Sequence, residues 1–507
     1  MLAGVFVLAA VARLSVLFAT GNPLDAASYD QSVYYAAAAA LAHGRFPYHG
    51  DFTFVHPPVI ALVGTPFAVL ARLTNDAVGF AAENVAFALL GAVNAVLLVV
   101  VARAWGLRRG AVAGGIVYAL WSAGAAAESS ARLEPLGNFV FLLFLWALGR
   151  GREGATRPLV LAGVCLALVV NVKLWWCAPA LVVLALAAWS ARRARVATVP
   201  AAAAAVTALV LDLPFLLVAG PRMFRSIVLA QLNRPDKQWA SSHHFGRLSA
   251  GQRLEQLLQA PQEVAGALGR AVAPGALVTL VVVVVVVAFV VTAALACRNR
   301  VGGIFVALLV AQLVVLLAAP IFFVYYSGYV MVAAALVIAA AAGRGPSKRA
   351  AIAPWAWVVT AALSAVITLS SLPTAPGPVD WAALRQKTAG VPCLVADSPY
   401  TLIRLHALDH SFRPGCRNVV DFQGVSYGAG PEPAAKAWVR SSTPEYRRFV
   451  GDYLTSGQAV AMSNYYVRVR LGRARVRCID QAPLLARSGN IVVRWSTSGS
   501  RGNVPCG

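Results

Sequence analysis

The hydrophobic positions of this chain fall in long unbroken runs, not in alternation. Apolar stretches occupy 2–20, 82–102, 110–127, 133–149, 158–173, 174–190, 197–219, 276–296, 302–319, 321–342 and 352–371. Most approach or exceed the ~20 residues that carry a helix across a bilayer. They predict a polytopic α-helical membrane protein with about eleven transmembrane helices. The stretch Val59–Leu73 is apolar but shorter, follows Pro57-Pro58 and contains Pro66. It reads as a re-entrant or interfacial helix. The first run has no basic leader and no convincing cleavage site, so it reads as a span and not as a signal peptide. The missing basic start also leaves room for a natural N-terminus upstream.

From Pro373 onward the pattern changes. The apolar runs shorten, charges return, and Pro373, Pro376 and Pro378 form a stiff linker. Short strands are predicted at Cys393–Ala396, Val419–Phe422, Ala459–Met462 and Ile491–Trp495, and helices at Tyr400–Ala407 and Glu445–Thr455. Thr443 is placed to cap the second helix, with Pro444 at its first position. Residues 373–507 thus read as a mixed α/β domain after a membrane domain of 1–372. Two polar insertions interrupt the membrane domain, 20–81 and 220–275. In the second, Phe224, Ile227, Val228 and Leu232 fall roughly on one helical face, which predicts a helix in the headgroup layer, ended by Pro235. Leu248–Val272 reads as a further amphipathic helix.

Charge gives the direction. Arg103, Arg108 and Arg109 lie in one short loop, and Arg150, Arg152 and Arg157 in the next. Arg192, Arg193 and Arg195 follow, then Arg298 and Arg300, then Arg344, Lys348 and Arg349. Glu153 is the one acid among them. All five loops share a face only if 59–73 does not span. The positive-inside rule then sets the N-terminus in the cytoplasm and the C-terminal domain outside the plasma membrane. The composition agrees with a membrane protein: 507 residues, 59% hydrophobic, 12% charged, mean hydropathy +0.70, where a soluble domain carries roughly 25% charge. The net charge of +23 would suggest nucleic acid. Much of it sits in those inner loops, so membrane lipids and not nucleic acid are the expected partners.

Cys165, Cys177 and Cys297 lie in or at the inner edge of spans, and Cys393, Cys416, Cys478 and Cys506 in the outer domain. Disulfides are permitted there. Four cysteines allow three connectivities, of which Cys393–Cys416 with Cys478–Cys506 is taken first.

The polar residues left on the outer face carry the candidate chemistry. Asp30 either takes a proton from a sugar hydroxyl or caps a helix or pairs with an arginine. His56, held extended by the following prolines, and Asp51 either contact substrate or make structural hydrogen bonds. His43 and His49 read as ordinary loop residues. Glu128, Arg132 and Glu134 are expected to pair with one another. Arg13, a charge inside an apolar run, either snorkels outward or meets a carboxylate. Lys173 precedes Trp175-Trp176, read as an interface belt; it either snorkels or binds an anion at headgroup depth. Gln231 and Arg234 offer a second set of donors to a phosphate. His243-His244 are adjacent and share no helical face, which disfavours a metal pair, and no metal site is assigned. No cofactor is certain, though Asp30 and Asp51 could hold a divalent cation. Neither a P-loop nor a Rossmann glycine fingerprint is present, which argues against a nucleotide donor.

Several motifs resemble one family. They are D-x-x-x-Y-Y, L-x-x-G-x-x-P-Y and D-F-x-F-x-H-P-P between Asp30 and Pro58, then R-x-E-P at Arg132–Pro135. G-x-x-L-x-x-x-x-x-V-K-x-W at Gly163–Trp175 and Q-x-x-R-P at Gln231–Pro235 follow, with Tyr325-Tyr326 at the entry to a late span. Their order resembles the GT-C glycosyltransferases, of the protein-mannosyltransferase and aminoarabinose-transferase type and their actinobacterial relatives. That resemblance implies a GT-C-like transmembrane domain with an extracytoplasmic α/β domain. It implies transfer of a sugar from a polyprenyl-phosphate donor to a cell-envelope acceptor (glycan, lipid or protein) on the outer face. Asp30 would be the base, and Asp51, His56, Glu134, Tyr325 and Tyr326 substrate contacts. Lys173, Gln231 and Arg234 would hold the donor phosphate. The family also leads one to expect an arginine opening the second span, where Ala82-Glu83-Asn84 stands instead. Two other readings stay open: a transporter or flippase of lipid-linked sugars, and a non-catalytic envelope assembly protein.

Overall fold

The computed structural model describes residues 1–19, 23–24, 29–232, 274–319, 322–342, 348–370, 379–425, 444–463, 471 and 473–496. Asp25, Arg234, Pro235, His243, His244, the helix expected over 248–272, Arg344, the Pro373–Pro378 linker, Thr443 and Cys506 lie outside these residues.

The apolar runs fold as helices. In chain order these begin with α1 (Leu2–Ala19), α2 (Tyr29–Ala42), α3 (Val59–Leu73), α4 (Asp76–Ala104), α5 (Ala111–Leu120) and α6 (Ser122–Ala127). Next come α7 (Leu133–Gly151), α8 (Thr156–Val170), α9 (Cys177–Ala191) and α10 (Arg195–Ala219). Later apolar helices span Pro274–Cys297, Arg300–Ala318, Ser327–Ala341 and Lys348–Ser370. Among the described residues, six helical segments are long and apolar enough to cross a membrane: 2–19, 76–104, 133–151, 174–191, 195–219 and 300–318. Shorter apolar segments lie at 59–73, 111–120, 156–170, 283–297, 327–341 and 353–366.

The run expected as one helix over 110–127 is broken. Trp121 takes an extended conformation (ψ 112°) between α5 and α6. Its ring packs near Trp357, and Ser122 Oγ bonds Ser364 Oγ at 2.7 Å. A break at membrane depth is tolerable when protein surrounds it. Two other apolar runs begin with a 3-10 turn, Leu174–Trp176 before α9 and Val324–Tyr326 before the helix at Ser327.

The described residues form two compact units. One draws on Met1–Asn22, Asn84–Leu211 and Arg247–Thr374; the other on Pro23–Glu83, Asp212–Gly246 and Ala375–Gly507.

The first unit is helical, and a buried polar knot lies within it. Arg13 Nη2 donates to Glu128 Oε2 at 2.6 Å, and its Nη1 donates to the Ala9 and Ala119 carbonyls. Glu128 Oε1 accepts from Tyr118 Oη, Asn94 Nδ2 and Asn138 Nδ2 at 2.6, 3.0 and 2.8 Å. The pair is fully buried and multiply hydrogen-bonded, the condition under which a buried charge is tolerated. Gly91 makes room: a Cβ there would stand 2.5 Å from Arg13 Nε. Arg13 therefore meets a carboxylate and does not snorkel.

The second unit contains a four-stranded sheet in the order β1-β2-β4-β3, with β1 Leu394–Ala396, β2 Ala459–Met462, β3 Leu484–Ser488 and β4 Ile491–Trp495. β1 and β2 are parallel; β2, β4 and β3 run antiparallel. β1 and β2 are buried throughout, whereas edge strand β3 carries Arg487 and is largely open, as edges that must not recruit further strands are. Val395, Val460, Phe422, Val450, Tyr453 and Ile479 share one buried cluster. Val419–Phe422 is not the expected strand. Val419 and Phe422 enter that cluster without ladder pairing, and Asp421 turns the chain by accepting from Gly424 N at 2.9 Å. The helix expected at 400–407 is shorter, Pro399–Arg404, and that at 445–455 spans Pro444–Leu454. β3 and the helices Trp381–Thr388 and Arg473–Gln481 were not legible in the pattern. Cys393 and Cys416 are disulfide-bonded. Cys478 is disulfide-bonded as well, while Cys165, Cys177 and Cys297 are free thiols.

The segment after α10 is helical over Pro221–Phe224, Arg225–Leu229 and Ala230–Leu232, with a π-turn in the middle. Its buried face is Met223, Ile227 and Ala230, while Phe224 and Leu232 are exposed. The expected face of Phe224, Ile227, Val228 and Leu232 is thus split: Ile227 turns inward while Phe224 and Leu232 stay exposed, because the π-turn adds a residue and rotates the register.

Candidate functional site

The candidate residues fall into separate groups, each built within one unit.

In the second unit, α2 opens the polar loop system. Tyr29 anchors its first turn, donating to Asp421 Oδ1 at 3.5 Å and accepting from Phe422 N at 3.0 Å. Asp30 follows in that first turn and is half-buried. A carboxylate there is favoured by the helix dipole. One turn on, Tyr34 meets His56: Tyr34 Oη lies 3.5 Å from His56 Nε2, with the rings edge-on at 5.3 Å. The backbone of His56 is also held, since Tyr48 Oη donates to its carbonyl at 2.6 Å. Burial, then the nearby Asp212 charge, pushes the Tyr48 phenol well above its ordinary range, so it stays a donor. Gln231 Nε2 donates to the Val55 carbonyl at 2.9 Å. That brings Gln231 beside the residue preceding His56, as spacing alone could not show.

Asp51 is an ion-pair partner. Arg417 Nε and Nη2 reach its two carboxylate oxygens at 2.7 and 3.3 Å. His43 is more than the ordinary loop residue expected: its Nε2 lies 2.7 Å from Asp409 Oδ1, and its ring lies beside Phe412. His49 is exposed, as expected of a loop residue. Asp76, absent from the sequence reading, accepts from the Leu408 and Asp409 backbone N–H groups at 2.9 and 3.2 Å. Glu83, where an arginine was expected nearby, is wholly buried, and neither carboxylate oxygen has a hydrogen-bond partner.

In the first unit, Lys173 and Glu134 form the second group. Lys173 Nζ lies 3.6 Å from Glu134 Oε1, and both side chains are largely buried. The ammonium also sits over the rings of Trp175 and Tyr326, at 3.9 and 4.1 Å from their centroids. The two 3-10 turns make this possible, because Trp175 and Tyr326 meet edge to face at 4.7 Å. Tyr329 Oη fixes the first turn by donating to the Trp175 carbonyl at 2.8 Å. Such a cage orients a cation on one side and leaves its charge unneutralised by the rings. Arg132 lies over Tyr325 at 4.6 Å, and its buried Nε has no hydrogen-bond partner.

Two expectations are corrected here. Glu128, Arg132 and Glu134 do not pair with one another. Glu128 turns into the helices toward Arg13, Glu134 takes Lys173, and Arg132 stacks on a tyrosine. Trp175-Trp176 is not an interface belt: Trp176 is buried against Phe141 and Tyr329, with ring centroids 4.6 Å from each. Gly137 leaves the space for its indole, since a Cβ there would stand 2.6 Å from Nε1. Among the described residues, no three His, Cys, Asp or Glu side chains gather as metal ligands.

This arrangement of helices, loop and sheet is the fold of the GT-C membrane glycosyltransferases, to which the structural neighbours belong. ArnT (aminoarabinose transferase) from Cupriavidus metallidurans, solved bound to undecaprenyl phosphate, aligns with a TM-score of 0.58 at 13% identity, over 97% of this chain and 98% of that one. The oligosaccharyltransferase from Archaeoglobus fulgidus, in complex with zinc and sulfate, aligns at 0.52 and 13% identity, over 97% of this chain and 73% of that one. The same organism's oligosaccharyltransferase AglB, with an inhibitory peptide and a dolichol-phosphate, aligns at 0.52 and 14% identity, covering 91% and 69%. No protein-family profile and no curated protein sequence matches the chain. The six segments long and apolar enough to cross a bilayer, counted among the described residues, support a membrane protein.

Proposed function

We propose that the chain is a glycosyltransferase that moves a sugar from a polyprenyl-phosphate donor to a cell-envelope acceptor on the outer membrane face. The carrying observation is the near full-length match to a lipid-phosphate-bound GT-C enzyme, 97% of one chain and 98% of the other. The motif order from Asp30 to Pro235 supports the same reading.

In this scheme the acceptor hydroxyl oxygen attacks the anomeric carbon. The bond from that carbon to the phosphate oxygen breaks, and the lipid phosphate leaves with the electron pair. Asp30 takes the hydroxyl proton. Lys173, Arg234 and Gln231 hold the phosphate and stabilise its growing charge. Asp51, His56, Glu134, Tyr325 and Tyr326 contact substrate. The two pairs seen here bear on those roles. Glu134 holds Lys173 in place before the donor arrives, and Arg417 does the same for Asp51. No soluble energy source is needed, because the phosphate bond supplies the driving force.

The five basic loops support about eleven spans within 1–372, an inner N-terminus and an extracytoplasmic domain at 373–507. The transporter and assembly readings predict different behaviour from a single variant. Asp30→Asn in proteoliposomes loaded with undecaprenyl-phosphate sugar should abolish transfer while carrier binding, read by native mass spectrometry, persists. Undiminished transfer removes Asp30 from the role of base. Carrier translocation without transfer by the unaltered protein sinks the transferase reading.

A further inference from the structure

The loop between Leu41 and Phe54 supplies much of the family resemblance, yet apart from Asp51 the transfer scheme gives its residues no work. In the second unit these residues wall a cavity of about 430 Å³. Arg45, Phe46, His49 and Phe52 line it from the loop, and Phe412 and Asn418 from the C-terminal part of the chain. That size lies within the roughly 300–1,000 Å³ of small-molecule sites, which combine apolar walls with a few placed polar groups.

The loop is shaped in advance. Gly44, Tyr48 and Gly50 all have positive φ, at 71°, 67° and 56°. Tyr48 is the unusual one, since an L side chain rarely adopts that region. Two bonds hold it there: its N–H donates to the Phe52 carbonyl at 3.0 Å and its hydroxyl to the His56 carbonyl at 2.6 Å. Strain of this kind persists where the surroundings fix it, and it gathers at binding sites.

The polar groups decide the ligand class. Arg45 Nη2 donates to the Phe412 carbonyl at 2.8 Å, and the guanidinium lies over that ring at 5.5 Å. A guanidinium has five N–H donors, so the others remain to be used. Asp51 is bound by Arg417, but a carboxylate has about four acceptor sites and Arg417 takes two. Asn418 Nδ2 is committed to Ser411 Oγ, which leaves its carbonyl oxygen as an acceptor. Rings, a guanidinium and a carboxylate thus share one cavity. A phosphate would be repelled by Asp51, and an acyl chain would strip water from Arg45 and Asp51 with nothing in return. A sugar suits both halves, since its hydroxyls donate and accept and its C–H faces lie on aromatic rings.

We propose that this cavity binds a saccharide unit of the acceptor, held against Phe46, Phe52 and Phe412 and hydrogen-bonded by Arg45, Asp51 and Asn418. The word acceptor rests on the transferase reading; the binding of sugar does not. The test uses the full chain in nanodiscs and a panel of neutral gluco-, manno-, galacto- and arabino-oligosaccharides, read by saturation-transfer NMR and titration. Inorganic phosphate is titrated in parallel. At least one oligosaccharide should bind, and Arg45→Ala and Phe46→Ala should each weaken it by about tenfold, the effect of one lost good contact. Phe46 is 38% exposed, so its truncation should leave the fold intact, and circular dichroism of each variant checks that it does. The proposal is overturned if no sugar in the panel binds, if both variants bind as the unaltered protein does, or if phosphate displaces the sugars. The two readings fail separately. Sugar binding that depends on Arg45, in a protein without transferase activity, sinks the transferase reading alone. Robust transfer with an unchanged acceptor KM in both variants sinks the cavity proposal alone.

Discussion

Lys173 stands 3.6 Å from Glu134, with Trp175 and Tyr326 closing round the same ammonium at 3.9 and 4.1 Å. The lysine is thus fixed by one carboxylate and two rings. A flexible lysine would have to lose its rotamer freedom when the donor binds, up to ~2 kcal/mol of entropy. Here much of that loss is already made. Lys173→Met keeps the stem and removes the charge. It should lower kcat/KM for the polyprenyl-phosphate donor on the order of 100-fold, the range seen when one placed donor to a developing anion is lost. Lys173→Arg should not restore the rate, because a planar guanidinium does not fit a cage built round a compact ammonium. Steady-state kinetics with varied donor concentration measures both.

The Arg13–Glu128 pair is structural. Arg13→Ala leaves Glu128 buried with its strongest partner gone, and breaking a buried pair costs about 3–5 kcal/mol. The variant should melt well below the unaltered protein in detergent. Arg13→Ala with Glu128→Gln should recover part of the loss, because a neutral amide keeps the bonds from Asn94 and Tyr118 possible. Thermal unfolding of the three proteins side by side decides it. Equal melting of single and double variants would mean that charge burial is not the cause.

Gly79 is required by packing. A Cβ there would run into Tyr35 Oη and would stand 2.5 Å from the Phe67 carbonyl oxygen and 2.8 Å from Ala71 Cβ. The backbone atom cannot yield as a side chain would. Gly79→Ala should therefore destabilise by roughly 1–3 kcal/mol, the usual cost of overpacking, although alanine is the better helix former. A stabilised variant would show that α3 and α4 separate at little cost.

How much of this was legible in the sequence depended on range. Unbroken apolar runs announce helices locally, so the helices followed the pattern. The break at Trp121 did not, because neighbours far along the chain (Trp357 and Ser364) accommodate it. Val419–Phe422 looks like a strand by composition, but a β-branched, aromatic run also fits a buried loop whose turn is made by Asp421. The site pairs were the least legible. Asp51 meets Arg417 and His43 meets Asp409, each across 366 residues. Nothing near either residue in the chain signals its partner. Glu128, Arg132 and Glu134 show the opposite error: closeness in sequence suggested pairing, and the helix directions sent each elsewhere. Residues tied to a turn were readable. The glycine and proline spacing around Tyr48 marks the loop, and the structure gives Gly44, Tyr48 and Gly50 the positive φ values that such a loop needs.

His406 should give the second unit a pH dependence. Burial, then the charges of Arg385 and Arg404, lowers its pKa below the ordinary value for histidine. The unfolded chain then binds more protons than the folded one as pH falls through ~6.5. Stability from this group is full above that value and is lost progressively below it, toward the lowered folded pKa. The group is partly exposed, so the effect is modest. Melting at pH 7.5 and pH 5.5 should show the acid loss, and His406→Asn, which tolerates the left-handed φ of 55° at this position, should reduce it. An equal acid loss in the variant would assign it to other groups.

Transfer of a sugar from a lipid phosphate is open to direct test by mass spectrometry of envelope glycans and lipid carriers, with and without the gene. The deletion strain should lose one glycosyl residue from an envelope acceptor and accumulate a polyprenyl-phosphate-linked sugar, and the unaltered gene but not Asp30→Asn should reverse both. Unchanged glycans and carriers in the deletion strain, or full reversal by Asp30→Asn, would contradict it.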